Sequence, residues 1–432
     1  MKALWVTASP VGPSAHIMKV IAGTSGGWVQ TVYQETKRKN ISIDFLCFSK
    51  KIAIGDCKTA VSDDGETVYC LNMPKVSFGV KPPEALRKQV EEVIRKSEPD
   101  IVHIWGTETV VQNVVASCCP DVKKVVFLQG LIGLHSRYYG GRLKELGFKQ
   151  KRKFKEKMIY LVKQKHMVKQ ADYEKAELRL AGNIILDSVF FLAYCHSAVP
   201  EAKCFKYWLN SNPVFERKQW SIDRCHHHRV FSVYGNGPDK GLHQLIRAAA
   251  IVKKDYPDLE IVIPGPFNID KNGRLRNDVK LTSYEKLLFD LIKGTDLINN
   301  VFFCGKQTPE GMAEQLLNAH CFVNPSIMEA HAGSLREAMT VGVPSVTSIC
   351  GSVVEFVQEG VTGWMYRYEE HEILAYKIMR IFEDDELADR VGTAARKKMQ
   401  DMKAEYADVS MEDIYNEILG RCDKEFFDME GK

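Results

Sequence analysis

Short apolar runs rich in β-branched residues alternate with amphipathic stretches along most of the chain. "KALWVTA", "ISIDFLCF", "IVHIWG" and "KKVVFLQG" read as strands in the first half. "RVFSVYG", "LEIVIPG", "NVFFCG", "CFVNPS" and "PSVTSI" read as strands in the second. Between them, "PEALRKQVEEVIRKSEPD" places Leu86, Val90, Val93 and Ile94 near a 3.6-residue period, and "LHQLIRAAAIVKKDY" does the same for a later helix. A helix is also predicted from about Gly27 to Lys39. Alternation of this kind predicts parallel sheets covered by helices on both faces. The pattern breaks over 208–228, which is irregular and polar. The expected architecture is α/β: two doubly wound Rossmann-like domains facing across a cleft at the carboxyl ends of their strands. The boundaries predicted are 1–212 for the first domain, 213–228 for a linker and 229–410 for the second. "SMEDIYNEILGRC" sets Met411, Ile414 and Ile418 on one helix face, so a helix at about 411–428 has an apolar side to bury.

Composition narrows the classes. The 432 residues are 45% hydrophobic and 26% charged, which excludes a disordered, collagenous or disulfide-built chain. No run approaches the roughly 20 apolar residues of a membrane span. "MKALWVTASP" reads as a first strand and is too short in apolar length for a leader. The 12 cysteines are scattered, with no C-x-x-C, which fits a reducing cytoplasm. The net charge of +4 hides an asymmetry: residues 134–169 hold twelve Lys/Arg against two Glu. A basic block on an otherwise acidic body is either a solvated face or a surface that meets phosphate. Its interleaved Tyr138, Tyr139, Leu143, Leu146, Phe148, Phe154, Met158, Ile159 and Leu161 favour an anionic membrane surface, and no nucleic-acid-binding fold accompanies it.

Chemistry concentrates in 321–366. A strand ending at Asn324–Pro325–Ser326 precedes a polar loop and a helix from about Ser334 to Val341, whose N-terminal amides suit an anion such as a diphosphate. Glu329 in the loop and Glu337 one turn inside the helix lie eight residues apart and can serve one crevice as acceptors for vicinal hydroxyls. Read locally, Ser334 is instead an N-cap and Glu337 its capping-box partner. Lys240, after a turn with Gly235 and Gly237, is a compact cation suited to a departing diphosphate, or else a solvated turn lysine. Gly26 and Gly27 would let backbone approach a phosphate or sugar, or simply start a helix. "CHHH" at 225–228 offers ligand types, but consecutive residues on an extended segment point alternately apart, so no metal is expected. His103 reads as a core residue. Walker and dinucleotide patterns are missing, which argues against P-loop and NAD chemistry.

The segment with Glu329 and Glu337, followed by "EAMTVGVPSV", Gly351…Glu355 and "GVTGWMY", resembles the signature of glycosyltransferase family 4. "FSVYGNGPDKGLHQLIRAAAIV", "TSGGWVQTVYQE", "PDIVHIWGTE" and "VVFLQGLIG" extend the resemblance along most of the chain, toward bacterial capsule and exopolysaccharide members. It implies a GT-B fold and retaining transfer of a hexosyl unit from a UDP- or, less so, GDP-sugar to a hydroxyl acceptor, lipid-linked or polysaccharide, with no cofactor or metal. It implies that Lys240 and Glu329 are catalytic. It implies that Gly26, Gly27, Gly235, Asn236, Lys240, Ala330, His331, Ala332, Gly333, Ser334, Leu335 and Glu337 hold the donor. It also implies return of the 411–428 helix to the first domain; the cysteine usage and the basic block together give the expectation of a cytoplasmic protein, peripheral on the inner membrane face. The chain departs from the pattern at Asn236, where many members have Arg, at Gln129, where many have His, at Ala330–His331–Ala332 in place of G-F-G, and at "GNIILD". These departures keep open a non-catalytic GT-B-like subunit; an epimerase of the same fold is the third reading.

Overall fold

The structure is a computed structural model describing residues 1–19, 27–39, 41–76, 79–148, 154–232, 235, 237–276 and 281–421. The chain divides into two compact units. The first comprises Met1–Arg137, Val162–Asn210 and Glu405–Lys432, and the second Tyr138–Leu161 and Ser211–Ala404. Residues 138–161 therefore stand with the second unit, although strand–helix order alone placed them inside a first domain ending at 212.

The first unit holds β1 (Lys2–Thr7), β2 (Ser42–Ser49), β3 (Cys57–Val61), β4 (Thr67–Asn72), β5 (Ile101–Trp105), β6 (Lys123–Phe127), β7 (Asn183–Leu186) and β8 (Lys203–Lys206). They form one sheet in the order β3-β4-β2-β1-β5-β6-β7-β8. All neighbours are parallel except β3 and β4, an antiparallel hairpin at the edge. β3 is largely exposed, and one antiparallel edge strand on a parallel sheet is a common arrangement. The central strands are buried on both faces, as β1 and β5 show, because helices cover both sides.

The second unit holds β9 (His226–Ser232), β10 (Glu260–Pro264), β11 (Val301–Gly305), β12 (Ala319–Asn324), β13 (Ser345–Ser348) and β14 (Trp364–Tyr366). Their order is β11-β10-β9-β12-β13-β14, all parallel. Each sheet grows one way from its first strand and then the other. The reversal falls between β1 and β5 in the first unit, and between β9 and β12 in the second.

The first unit's core is aromatic and includes the chain's last described helix. Met411, Ile414, Tyr415 and Ile418 of the helix Met411–Ile418 are buried with Trp5, Trp105, Phe45 and Phe127. The Tyr415 hydroxyl accepts from Trp5 Nε1 at 3.0 Å and lies 2.5 Å from His103 Nδ1. His103 is fully buried, and burial pushes its pKa down to about 3, so the neutral ring can accept the tyrosine proton. Its ring stacks on Trp105 at 4.5 Å, which makes it a structural residue of the core.

Tyr415→Phe keeps the ring and orphans a buried indole N–H and an imidazole nitrogen. It should cost roughly 2–4 kcal/mol in chemical denaturation. A loss below about 0.5 kcal/mol would mean that the helix is held by its apolar face alone.

Candidate functional site

In the second unit, three loops meet at the carboxyl ends of β9, β12 and β13, around the point where strand order reverses. Open α/β sheets bind ligands there because diverging loops leave a crevice. The loops are fastened to one another through backbone. Gly241, at φ +68°, sits so close to the Pro325 carbonyl that a Cβ would lie 1.9 Å from its oxygen. The Ile327 N–H donates to the Asp239 carbonyl at 2.9 Å. Gly351, at φ +49°, faces the Glu329 carbonyl so that a Cβ would lie 1.8 Å away, and the Ser352 N–H donates to that same oxygen at 3.1 Å. The Ser348 hydroxyl donates to the Ser326 carbonyl. Both glycines are required by conformation and by space together.

Lys240 closes the short 3-10 turn Pro238–Lys240, with Gly235 against its stem. Its ammonium donates to Glu329 Oε1 at 2.8 Å. Burial is the largest influence and works against the ammonium, but the charge of Glu329, its hydrogen bond and the nearby Asp239 charge together outweigh it and raise the Lys240 pKa. Cys350 lies nearby; burial first, then the Glu329 charge, pushes its thiol up to about 12, so it offers no thiolate near neutral pH. Thus the two residues singled out as catalytic, 89 positions apart, are in contact.

The helix Gly333–Val341 begins one residue earlier than its sequence pattern suggested, with Ala332 as N-cap at φ +51° and no side-chain cap. Ser334 therefore lies inside the first turn, and the capping-box reading of Ser334 and Glu337 does not hold. The amides of Gly333, Ser334 and Leu335 precede the first residue with an intrahelical partner, Arg336, whose N–H donates to Ala332. They present the positive end of the helix to the crevice. Ala330, Ala332 and Leu335 turn buried side chains inward, so they could meet a ligand only through backbone, while His331, Gly333 and Ser334 are half-buried. Glu337 lies one turn in. Burial pushes its carboxyl up to about 7, against the pull of the Arg336 charge. Arg336 is itself buried, and its Nη1 lies 3.1 Å from His331 Nδ1. This guanidinium was not singled out from sequence, where it looks like any helix-face arginine between Leu335 and Glu337.

Gly26 and Asn236 lie outside the described residues, and Gly27 opens the helix Gly27–Lys37 of the first unit. The first unit has its own strand-order reversal, and the loop after β5 carries a carboxyl that sequence reading passed over. Burial pushes Glu108 up to about 7, and its Oε2 lies 3.4 Å from Gln112 Nε2. Behind it, fully buried Glu174 accepts from Tyr194 Oη, the Ile132 and Gly133 amides and Thr107 Oγ1.

At the opposite end of the second unit's sheet, the "CHHH" stretch does not alternate as expected. Ala319 pairs with His226 but Cys321 with Val230, a bulge in which His228 adopts φ +60°. It sets His227 against His320 of β12, ring centroids 4.9 Å apart, with Asp385 Oδ1 3.9 Å and 3.8 Å from their nitrogens. Such a triad could face one cation. Its tautomer argues otherwise: the His228 amide donates to His320 Nδ1 at 3.2 Å, which leaves the proton of the neutral ring on Nε2, facing Asp385.

Residues 226–398, spanning β9 to most of the last long helix of the second unit, match the family model described as "Glycosyl transferases group 1". Among curated relatives, the amylovoran biosynthesis glycosyltransferase AmsK of Erwinia amylovora is 28% identical over 178 residues, covering 40% of each chain. The chain spans 35–47% of the length of the first curated relatives it matches. Among solved structures, sucrose-phosphate synthase of Thermosynechococcus elongatus superposes with a TM-score of 0.70 at 17% identity, over 98% of this chain and 100% of that one. Anabaena Alr3699/HepE, in complex with UDP-glucose, superposes at 0.62 with 15% identity, over 97% and 98%. At such identities the likeness speaks for fold, and that fold is GT-B.

Two glycines separate the loop lock from ordinary turn strain. Gly360→Ala, at φ +70° with nothing within 4 Å of a Cβ, should cost only the left-handed backbone penalty of about 1–2 kcal/mol. Gly351→Ala should cost clearly more in thermal unfolding, because the Glu329 carbonyl must also move. Equal losses would show that the two loops are not locked.

Proposed function

We propose that the chain is a retaining, nucleotide-sugar-dependent glycosyltransferase of family 4 that transfers a hexosyl unit, from a UDP-sugar in preference to a GDP-sugar, to a hydroxyl acceptor. The observation that carries the reading is the Lys240–Glu329 contact beside the free amides of the helix Gly333–Val341, within the stretch that matches the glycosyl transferases group 1 model. The diphosphate would rest on the amides of Gly333, Ser334 and Leu335. Lys240 would turn from Glu329 toward it as the bond to the sugar lengthens, so that the cation meets charge that grows toward the transition state. Glu329, relieved of its partner, would accept from a hydroxyl of the transferred sugar. Glu337 would accept from the ribose hydroxyls.

In the same-face reaction, the C1–O bond to phosphate breaks as the acceptor oxygen bonds to C1 on the side the diphosphate leaves. The departing phosphate takes the acceptor's proton. No protein nucleophile is required, and the helix N-terminus and Lys240 would supply the positive charge without a metal. A lipid-linked or polysaccharide acceptor finds support in the relationship to the amylovoran enzyme. Asn236 and Gln129 favour a second reading, a non-catalytic GT-B-like subunit that supports a partner transferase. Donor hydrolysis separates the two. The first test is a thermal-shift panel of UDP- and GDP-sugars, in which a donor at 100 times its Kd stabilises by about 2.7 kcal/mol. No shift with any donor would overturn the transferase reading and leave the subunit.

Lys240→Ala should lower kcat by roughly 10²–10³ while moving donor KM far less, since the cation works chiefly in the transition state. A variant that changes only KM would remove Lys240 from the chemistry.

Glu337 predicts opposite pH trends for stability and binding. Its carboxyl stands at about 7, above the ordinary 4.5, so the free fold disfavours the ionised form. That contribution to stability is fully present below 4.5 and is lost as pH rises to about 7. Ribose hydroxyls donate to the ionised form, so UDP affinity should rise with pH below about 7, approaching tenfold per unit. Glu337→Gln should flatten this dependence in calorimetric titration. An unchanged slope would exclude Glu337 from the nucleotide contact.

A further inference from the structure

The basic block 134–169 divides in two. Leu143 is buried, the Arg247 guanidinium lies 4.0 Å over the Phe148 ring, Arg142 pairs with Glu369, and Tyr139 stacks on Tyr160 at 5.1 Å. These groups contact side chains of the second unit itself, Arg142 from an exposed position. Residues 149–153 of the block lie outside the described residues, and its last stretch is the first half of the helix Phe154–Ala181.

Over 155–169 this helix has two dissimilar sides. Glu156, Tyr160, Gln164 and Met167 are half-buried and fall on one side at helical spacing. Ser283 donates to Glu156 there. At about 100° per residue, the other half carries Met158, Ile159, Leu161, Val162 and Val168. Each of these is 45–55% exposed. Lys155, Lys165 and Lys169 lie among them, and Lys157 and Lys163 border them. The stretch holds one carboxylate, Glu156, on the inner side.

We infer that this outward face, Met158, Ile159, Leu161, Val162 and Val168 with their five interleaved lysines, is a docking surface for an anionic lipid bilayer. Large apolar side chains would enter the head-group boundary while the lysine stems run along them and lift their ammoniums to lipid phosphates. A second copy of the chain is the poorer occupant, because the same face brought against itself sets lysine against lysine without a carboxylate between. Only the purpose of docking, delivery to a lipid-linked acceptor, rests on the transferase reading.

Co-sedimentation of the full chain with vesicles decides the matter, using phosphatidylcholine alone and phosphatidylcholine with phosphatidylglycerol, at low and high salt. Binding to the anionic vesicles should exceed binding to neutral ones by at least about tenfold at low salt and fall steeply as screening sets in. The triple variant M158S/I159S/V162S, and separately K155Q/K165Q/K169Q, should each weaken it by about tenfold or more. K254Q/K271Q, which removes exposed lysines elsewhere, should bind like wild type. All substitutions are at exposed positions, and unchanged thermal unfolding verifies the fold. Equal, weak binding to both vesicle types, or triple variants that bind like wild type, would overturn the inference. So would a wild-type dimer that the serine variant abolishes without any vesicle binding. UDP-sugar hydrolysis in the same preparations is read independently: its loss would sink the transferase reading and leave the vesicle result standing.

Discussion

Two carbonyl oxygens, those of Pro325 and Glu329, organise the carboxyl end of the second unit's sheet. Each lies where a Cβ could not be accommodated, and Gly241 and Gly351 face them. Because backbone touches backbone, the loops after β9, β12 and β13 hold one arrangement without relying on side chains. The side chains are thereby free for chemistry. Lys240 and Glu329 meet at 2.8 Å because the turn that carries one is fastened to the loop that carries the other.

Burial gives the two glutamates of this crevice different characters. Glu329 has the ammonium of Lys240 beside it, which favours its ionised form. Glu337 lies eight residues on, where burial outweighs the pull of the Arg336 charge and lifts its carboxyl to about 7. One carboxylate is set to compete for a cation, and the other can gain charge when donors arrive. The same principle operates in the first unit. Tyr415 returns near the end of the described chain to complete a buried hydrogen-bond chain with Trp5 and His103, and burial holds that imidazole neutral.

The parallel α/β character and the strands that build the centres of both sheets were legible in local pattern. Apolar alternation and 3.6-residue spacing operate over a few residues, and central strands and their helices write them strongly. β3, β4, β7, β8 and β14 escaped notice: β3 is an exposed edge with no apolar signal, β7, β8 and β14 are only three or four residues long, and β4 was passed over although four of its six residues are buried. The Ser334…Glu337 spacing imitated a capping box, yet the helix starts from a left-handed Ala332. Whether a residue caps a helix depends on where the preceding loop enters it, and that entry is set by Gly351 and Ser352 gripping Glu329.

The sequence by itself determined the two-sheet architecture and the presence of a cation and two carboxylates at strand ends, because strand periodicity and motif spacing are properties of neighbouring residues. Tertiary structure alone decided which of these groups meet and what charge each carries. Lys240 and Glu329 are 89 residues apart, and His228 and His320, whose hydrogen bond sets an imidazole tautomer, are 92 apart. It also decided which parts of the basic block are covered, burying Leu143 and pairing Arg142 while leaving Met158, Ile159, Leu161, Val162 and Val168 outward. Charge and burial at a position depend on what the rest of the chain packs against it, and a local pattern contains no record of that.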